Sequence, residues 1–301
     1  MAKASGFARA FRVTDGRRFR LRDVDPGDTG GLKSKNAAGA WLERGTALLA
    51  RLQEKLYADD RWSVLVVLQA MDAAGKDGTI KHVMSGVNPQ GVQVVSFKAP
   101  SAEELDHDFL WRSLKALPER GRIGIFNRSY YEEVLVVRVH EELLAAQKLP
   151  AKLATKRLWR ERFEDINALE RHLARNGTVV LKFFLHVSKA EQRRRLLGRL
   201  EDREKHWKFS PTDLAERGLW GRYMGAYEEM IRATATVHAP WHVIPADNKW
   251  FARLAVSAAI VDALEGLHLA YPEPGPEMRA RIAAARAALT AGRRPTAGAR
   301  R

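Results

Sequence analysis

Residues 64 to 68 read Val-Leu-Val-Val-Leu, and the chain then runs through Gln-Ala-Met-Asp-Ala-Ala-Gly before Lys76 opens a polar, helix-like segment. A short apolar run rich in β-branched residues, with no polar alternation, marks a strand buried on both faces, as in a parallel sheet. The small residues Ala73, Ala74 and Gly75 let backbone N–H groups converge at the start of the next helix, where the helix dipole favours an anion, and Lys76 adds a point charge. Together these features outline a phosphate-binding loop. The generic pattern G-x-x-x-x-G-K-[ST] (Walker A) is met at Gly75 and Lys76 and departed from at Ala70 and Asp77. The competing reading is a plain strand-to-helix turn with an exposed lysine. Asp72 separates the two, because a carboxylate inside an anion-receiving turn is repelled by its own ligand unless it has a metal ion or a proton to handle. The turn therefore predicts phosphate handled together with Mg²⁺.

A chain of 301 residues with 46% hydrophobic content can bury one large α/β core. It contains no cysteine, which excludes a disulfide framework and a thiolate zinc site. No run approaches the ~18 apolar residues of a membrane span, and no apolar stretch follows the N-terminal Met-Ala-Lys, so a cytoplasmic location is expected. The net charge of +15 is shared by both ends and the middle of the chain. That balance points to a polyanionic partner, with nucleic acid the first suggestion of composition alone.

Spacing organises the rest. Leu42, Leu49, Leu52 and Leu56 mark one face of a helix leading into the first strand, after a basic and irregular segment 1–35. Strand-like runs follow at Val92 to Phe97, Ile123 to Asn127, Thr178 to Val187 and Trp241 to Pro245. Between them, Trp159, Phe163, Ile166, Leu169 and Leu173 mark a long amphipathic helix that stops at Asn176-Gly177. A last helix spans about Trp250 to Leu267, and the Pro-, Ala- and Arg-rich residues 271–301 read as a basic, loose tail. Strands alternating with helices predict a parallel sheet covered on both faces, with ligands at the carboxyl ends of the strands. The charged stretch 195–221 breaks this alternation. Arg195, Arg199 and Arg203 recur there at every fourth position, either as a solvated helix face or as an arginine-bearing lid over transferring phosphates.

A second polar cluster ends the strand at 123 to 127, where Asn127, Arg128 and Glu132 are expected to face the cleft. Four segments, Met71 to Lys81, Phe126 to Glu132, His206 to Asp213 and Asp247 to Trp250, in this order and covering about residues 35 to 270, resemble the polyphosphate kinase 2 family. The resemblance implies a P-loop kinase-like three-layer α/β fold, with a parallel sheet flanked by helices and a helical lid, in a domain spanning 36–270. It also implies transfer of phosphate from inorganic polyphosphate to AMP and ADP, with GMP and GDP as further acceptors, in a reversible reaction that regenerates ATP. Mg²⁺, replaceable by Mn²⁺, is the implied cofactor, and a homodimer or homotetramer the implied assembly. Carried over by position, Asp72, Lys76 and Arg128 are catalytic, and Asp72 and Glu132 hold the metal. Ala73, Ala74, Gly75, Lys76, Asp77, Gly78, Thr79, Lys81, Arg128, Arg199, Arg203 and Lys208 bind phosphates, and Asn127, Tyr131 and Glu132 meet the nucleotide. The pair Asn127 and Glu132, where many relatives have Asp and Asn, resembles the class III subgroup that phosphorylates both AMP and ADP.

Two other readings stand beside this one. An ATP-dependent P-loop kinase acting on a small metabolite would use the same loop. A nucleic-acid-binding protein would use the same charge, but the periodic spacing of Trp159 and Phe163 suits a core, and no interleaving of aromatic and basic residues appears. His238 and His242 flank Pro240, which keeps them off a shared helix face of the kind that binds zinc.

Overall fold

The computed structural model describes residues 6, 7 and 9–291, so the part of the expected tail beyond Ala291 lies outside the described residues. Six strands form one sheet: β1 (Arg12–Val13), β2 (Ser63–Gln69), β3 (Val92–Ser96), β4 (Ile123–Asn127), β5 (Thr178–His186) and β6 (Trp241–Pro245). Their spatial order is β1-β6-β5-β2-β4-β3. Strands β2 to β6 run parallel, and β1 lies antiparallel to β6. The unbroken apolar run becomes the central β2, buried at every position between β4 and β5.

The main helices are α1 (Lys35–Asp59), α2 (Lys76–Val83), α3 (Leu158–Arg175), α4 (Lys189–Glu201), α5 (Thr212–Gly218), α6 (Trp220–Thr234), α7 (Lys249–Gly266) and α8 (Pro276–Ala291). Helices α1, α2 and α7 pack together as one layer, and α3 and α6 pack together as another, with the sheet between them. This is a P-loop kinase-like three-layer α/β fold. Helix α7 is apolar along most of its length because it sits between α1 and the sheet. Helix α3 stops where expected. The Asn176 N–H bonds back to His172 and Leu173, and Gly177 takes φ = 82°, where a Cβ would stand 2.8 Å from the Arg120 side chain.

One expectation is sharpened and one changes. The described part of the N-terminal segment is irregular, as expected, yet docked: β1 pairs Arg12 with His242 and Val13 with Trp241, Leu21 is buried, and Phe7 and Phe11 pack edge-on against Phe251. Its hydrophobic residues are too widely spaced to show a period, so only the docked partners reveal their role. Residues 276–291 form α8, every described side chain of which is exposed. Alanine-rich composition supplies that helix without any tertiary packing. Removing residues 276 onward should therefore leave the melting temperature of the body unchanged.

The sheet also sets an acid limit. His242 on β6 is buried, stacks on Phe183 at 5.0 Å and leaves Nδ1 without a partner, and burial depresses its pKa to about 4. The unfolded chain takes up this proton near pH 6.5 while the fold refuses it, so stability falls from pH 6.5 down to about 4, by about 3 kcal/mol from this group. Chemical denaturation at pH 7 and pH 4.5 should show this loss in the wild type and a smaller one in His242→Phe.

Candidate functional site

The site lies at the carboxyl ends of β2 and β4, where the chain leaves two neighbouring parallel strands. After β2 the backbone turns through Ala73 at φ = 61° and Gly75 at φ = 109°, and α2 begins at Lys76. A left-handed alanine is uncommon and strained; a small side chain keeps the cost near 1 kcal/mol. Lys76 is buried, its ammonium donating to the Ala70 carbonyl at 2.8 Å, and burial pushes its pKa down while Asp72 pulls it back up. A phosphate beside such a lysine favours its charged form.

After β4 the backbone turns again at Arg128, with φ = 65°. Its guanidinium donates to Asp72 at 3.0 Å and lies 3.8 Å from Glu132. Asn127 donates to Asp77 at 2.8 Å, joining the end of β4 to the first turn of α2. Glu132 is largely buried beneath Arg128, and burial pushes its carboxyl up against the opposing pull of Arg128 and Lys76. The Gln69 amide donates to Glu132 at 2.8 Å and accepts from Ser129.

The open space beside these groups is a cleft of about 1020 Å³. The loop residues Asp72, Ala73, Ala74, Gly75, Lys76, Asp77, Gly78, Thr79 and Lys81 line it, as do Asn127, Arg128, Arg199 and Lys208. Five further cations line it that sequence reasoning passed over: Lys98, Arg194, Lys205, Lys249 and Arg253. They come from four separate parts of the chain; Lys249 lies inside the Asp247 to Trp250 segment, and the other four stand outside the four segments named above. A profile of the polyphosphate kinase 2 family matches residues 32–270. The chain belongs to that family.

Among its relatives, the chain is 51% identical to an ADP-polyphosphate phosphotransferase of Rhodopseudomonas palustris, over 89% of this chain and 93% of that one. It is 49% identical to an AMP/ADP-polyphosphate phosphotransferase of Meiothermus ruber, over 88% and 95%. Its fold superposes on the crystal structure of polyphosphate kinase 2 from Arthrobacter aurescens with a TM-score of 0.83 at 44% identity, covering 92% and 96% of the two chains.

Not every residue expected at the site is there. Tyr131 is fully buried, its hydroxyl held by Glu170 at 2.7 Å and Lys182 at 3.0 Å, so it sits in the core and not against a nucleotide. Glu132 lies outside the cleft lining and is engaged by Gln69 and Arg128, which suits an orienting carboxylate better than a metal ligand. Arg203 also lies outside the lining: α4 ends at Glu201, and the turn at 203–208 takes Arg203 off the face shared by Arg195 and Arg199. Arg199 donates to Asp213 of α5 at 3.2 Å, and Trp207 is exposed beneath Lys208.

Arg195 has a different task from the one its spacing suggested. It is buried, and its guanidinium donates to the carbonyls of Ala73 (3.1 Å), Ala74 (2.6 Å), Ala246 (2.5 Å) and Asp247 (3.0 Å), and to the Glu191 carboxylate (2.7 Å). The Asp247 carboxylate accepts from the Ser188 N–H at 2.7 Å, and Asn248 donates to Gly27. The segment 247–250 therefore holds α4 and the loop in place.

Arg195→Met should lower stability by about 2 kcal/mol or more, because it strands several buried acceptors. It should also reduce phosphate transfer, whereas Arg203→Ala should alter neither; melting curves and initial rates decide both. Lys76→Met should keep its melting temperature and lose about a hundredfold or more in rate, the usual consequence of removing a fixed charge from a phosphoryl-transfer site.

Proposed function

We propose that this chain transfers the terminal phosphoryl group of inorganic polyphosphate to AMP and ADP, and reversibly returns phosphate from the nucleotide to the chain. The observation that carries this reading is the charge of the cleft: eleven lysine and arginine side chains line it against two carboxylates, Asp72 and Asp77. A polyanion with a charge at every unit satisfies such a wall, whereas the phosphate tail of a nucleotide donor would leave much of it unmatched. The names of relatives at about half identity favour the same substrates.

In this reading the terminal phosphate of the donor sits on the backbone N–H groups of the 73–78 loop and on Lys76. An oxygen of the acceptor's phosphate attacks it in line, the bond to the penultimate phosphate breaks, and the shortened polyphosphate leaves with the bridging oxygen. The work asked of the protein is alignment and neutralisation. Arg128, held by Asp72 and Glu132, bridges the attacking and transferred phosphates. Arg199 and Lys208 close over the donor from α4 and the turn that follows. Asp72 and Asp77 are the carboxylates on the cleft wall, and one or two carboxylates completed by phosphate oxygens suit Mg²⁺, with Mn²⁺ able to replace it. Among the described residues no group of three acidic or histidine side chains is placed to hold a metal, so phosphate oxygens would have to complete its coordination. Bound there, it would neutralise charge on the transferring group.

The acceptor's nucleoside is assigned to a second cavity of about 250 Å³, walled by residues 100–112 after β3, by Glu133 and by the first turns of α3. Leu105, Phe109 and Leu158 give it apolar walls, and Glu133, Arg112 and Arg162 give it polar ones. With Glu132 orienting Arg128 from below, the acceptor's phosphate count is not read by a dedicated carboxylate, which agrees with use of both AMP and ADP. Purified protein given polyphosphate and Mg²⁺ should produce ADP from AMP and ATP from ADP. Failure with polyphosphate but turnover with ATP and a small metabolite would establish the other kinase reading. Phe109→Ala should raise the KM for both nucleotides severalfold with little change in the KM for polyphosphate.

A further inference from the structure

Lys182, in the middle of β5, and Glu170, on α3, are both fully buried and joined at 2.6 Å. The Lys182 ammonium also donates to the Thr234 carbonyl at the end of α6 (2.7 Å) and to the Tyr131 hydroxyl (3.0 Å), so all three of its N–H groups are used. The other Glu170 oxygen accepts from the hydroxyls of Tyr130 (2.9 Å) and Tyr131 (2.7 Å). A buried ion pair of this kind adds little stability over apolar residues of the same shape, because desolvation offsets the attraction. It does supply direction. Two consecutive tyrosines are tied by their hydroxyls to one carboxylate, and that fixes the backbone just before them.

That backbone carries Arg128. Its left-handed φ is a strained state for a long side chain, and such states persist where neighbours over-determine them. On one side, the Arg128 N–H donates to the Leu68 carbonyl of β2 at 3.1 Å. On the other, Ser129 is buried, bonded to Gln69 and accepting from the Tyr131 N–H at 3.2 Å, and the two tyrosines then lead to Glu170 and Lys182. We infer that Lys182 and Glu170, through the hydroxyls of Tyr130 and Tyr131, are positioning residues that hold Arg128 aimed into the phosphate cleft. This rests on the phosphate-binding reading of that cleft.

The test is a coupling measurement. Tyr130→Phe/Tyr131→Phe keeps both rings packed and removes the hydroxyl links, while Lys182 and Glu170 keep their own bond. It is made in the wild-type chain and in Arg128→Lys, with Glu170→Gln as a milder companion in both backgrounds. Polyphosphate of defined length is the probe, read by the rise it causes in melting temperature, and kcat and KM are read with ADP. In the wild-type background the tyrosine variant should lose most of the polyphosphate-induced rise and several-fold in kcat. In the Arg128→Lys background it should change neither, because the group it positions is already altered. Equal losses in both backgrounds, or wild-type behaviour of the tyrosine variant, would overturn the inference. The melting shift needs binding without turnover, so an absence of transfer to nucleotides would count against the proposed reaction while leaving this test readable.

Discussion

The phosphate loop has little of its own to hold it in shape. It is a run of small residues with two left-handed backbone turns, one of them at an alanine, and the carbonyls of Ala73 and Ala74 find their partner outside the loop. Arg195 resolves this by gathering those carbonyls, and those of the β6–α7 connection, onto a single guanidinium. A planar fork with five donors suits this task, and a lysine could not replace it. The loop, α4 and the end of β6 are thereby held as one unit. The cleft walls contributed by α2, α4 and α7 follow from that arrangement.

Charge in the site is layered by depth. Nearest the core, Lys182 and Glu170 neutralise each other. Above them, Glu132 lies under Arg128 and faces Lys76, and the burial that raises the carboxyl and lowers the ammonium leaves both groups poorly solvated until an anion arrives. Outermost are Arg194, Lys205, Lys208 and Lys249, which are exposed to solvent. An anion entering this gradient exchanges water for fixed dipoles and charges step by step, and meets the positions that govern transfer last.

Much of this was legible in the chain itself. β2 declared itself through five consecutive apolar residues, α3 through its three- and four-residue spacing and its Asn-Gly stop, and the loop through small residues ahead of a lysine. What stayed hidden had a common cause: it depended on partners distant in sequence. Arg195 looked like one of a row of lid arginines, because the row is local and the carbonyls it grips lie more than 50 residues away. Tyr131 sits inside a chemical motif, and a motif cannot say which of its members turn inward. Lys98 has no local companion, and Lys249 and Arg253 stand together on α7 but far in sequence from the loop whose cleft they line. The N-terminal strand is two residues long, too short to carry a pattern.

That short strand shapes how the molecule is made. β1 pairs with β6, so the beginning of the sheet is completed by the last strand to be synthesised. At roughly 5–20 residues per second, about 10 to 50 seconds separate the appearance of the two partners on a ribosome. Throughout that interval Phe7 and Phe11 lack the Phe251 of α7 they pack against and Leu21 lacks α6, so the nascent chain carries an apolar segment without its partners. The positive charge interspersed there, from Arg9, Arg12, Arg17, Arg18, Arg20 and Arg22, keeps that segment hydrated and apart from its neighbours while it waits.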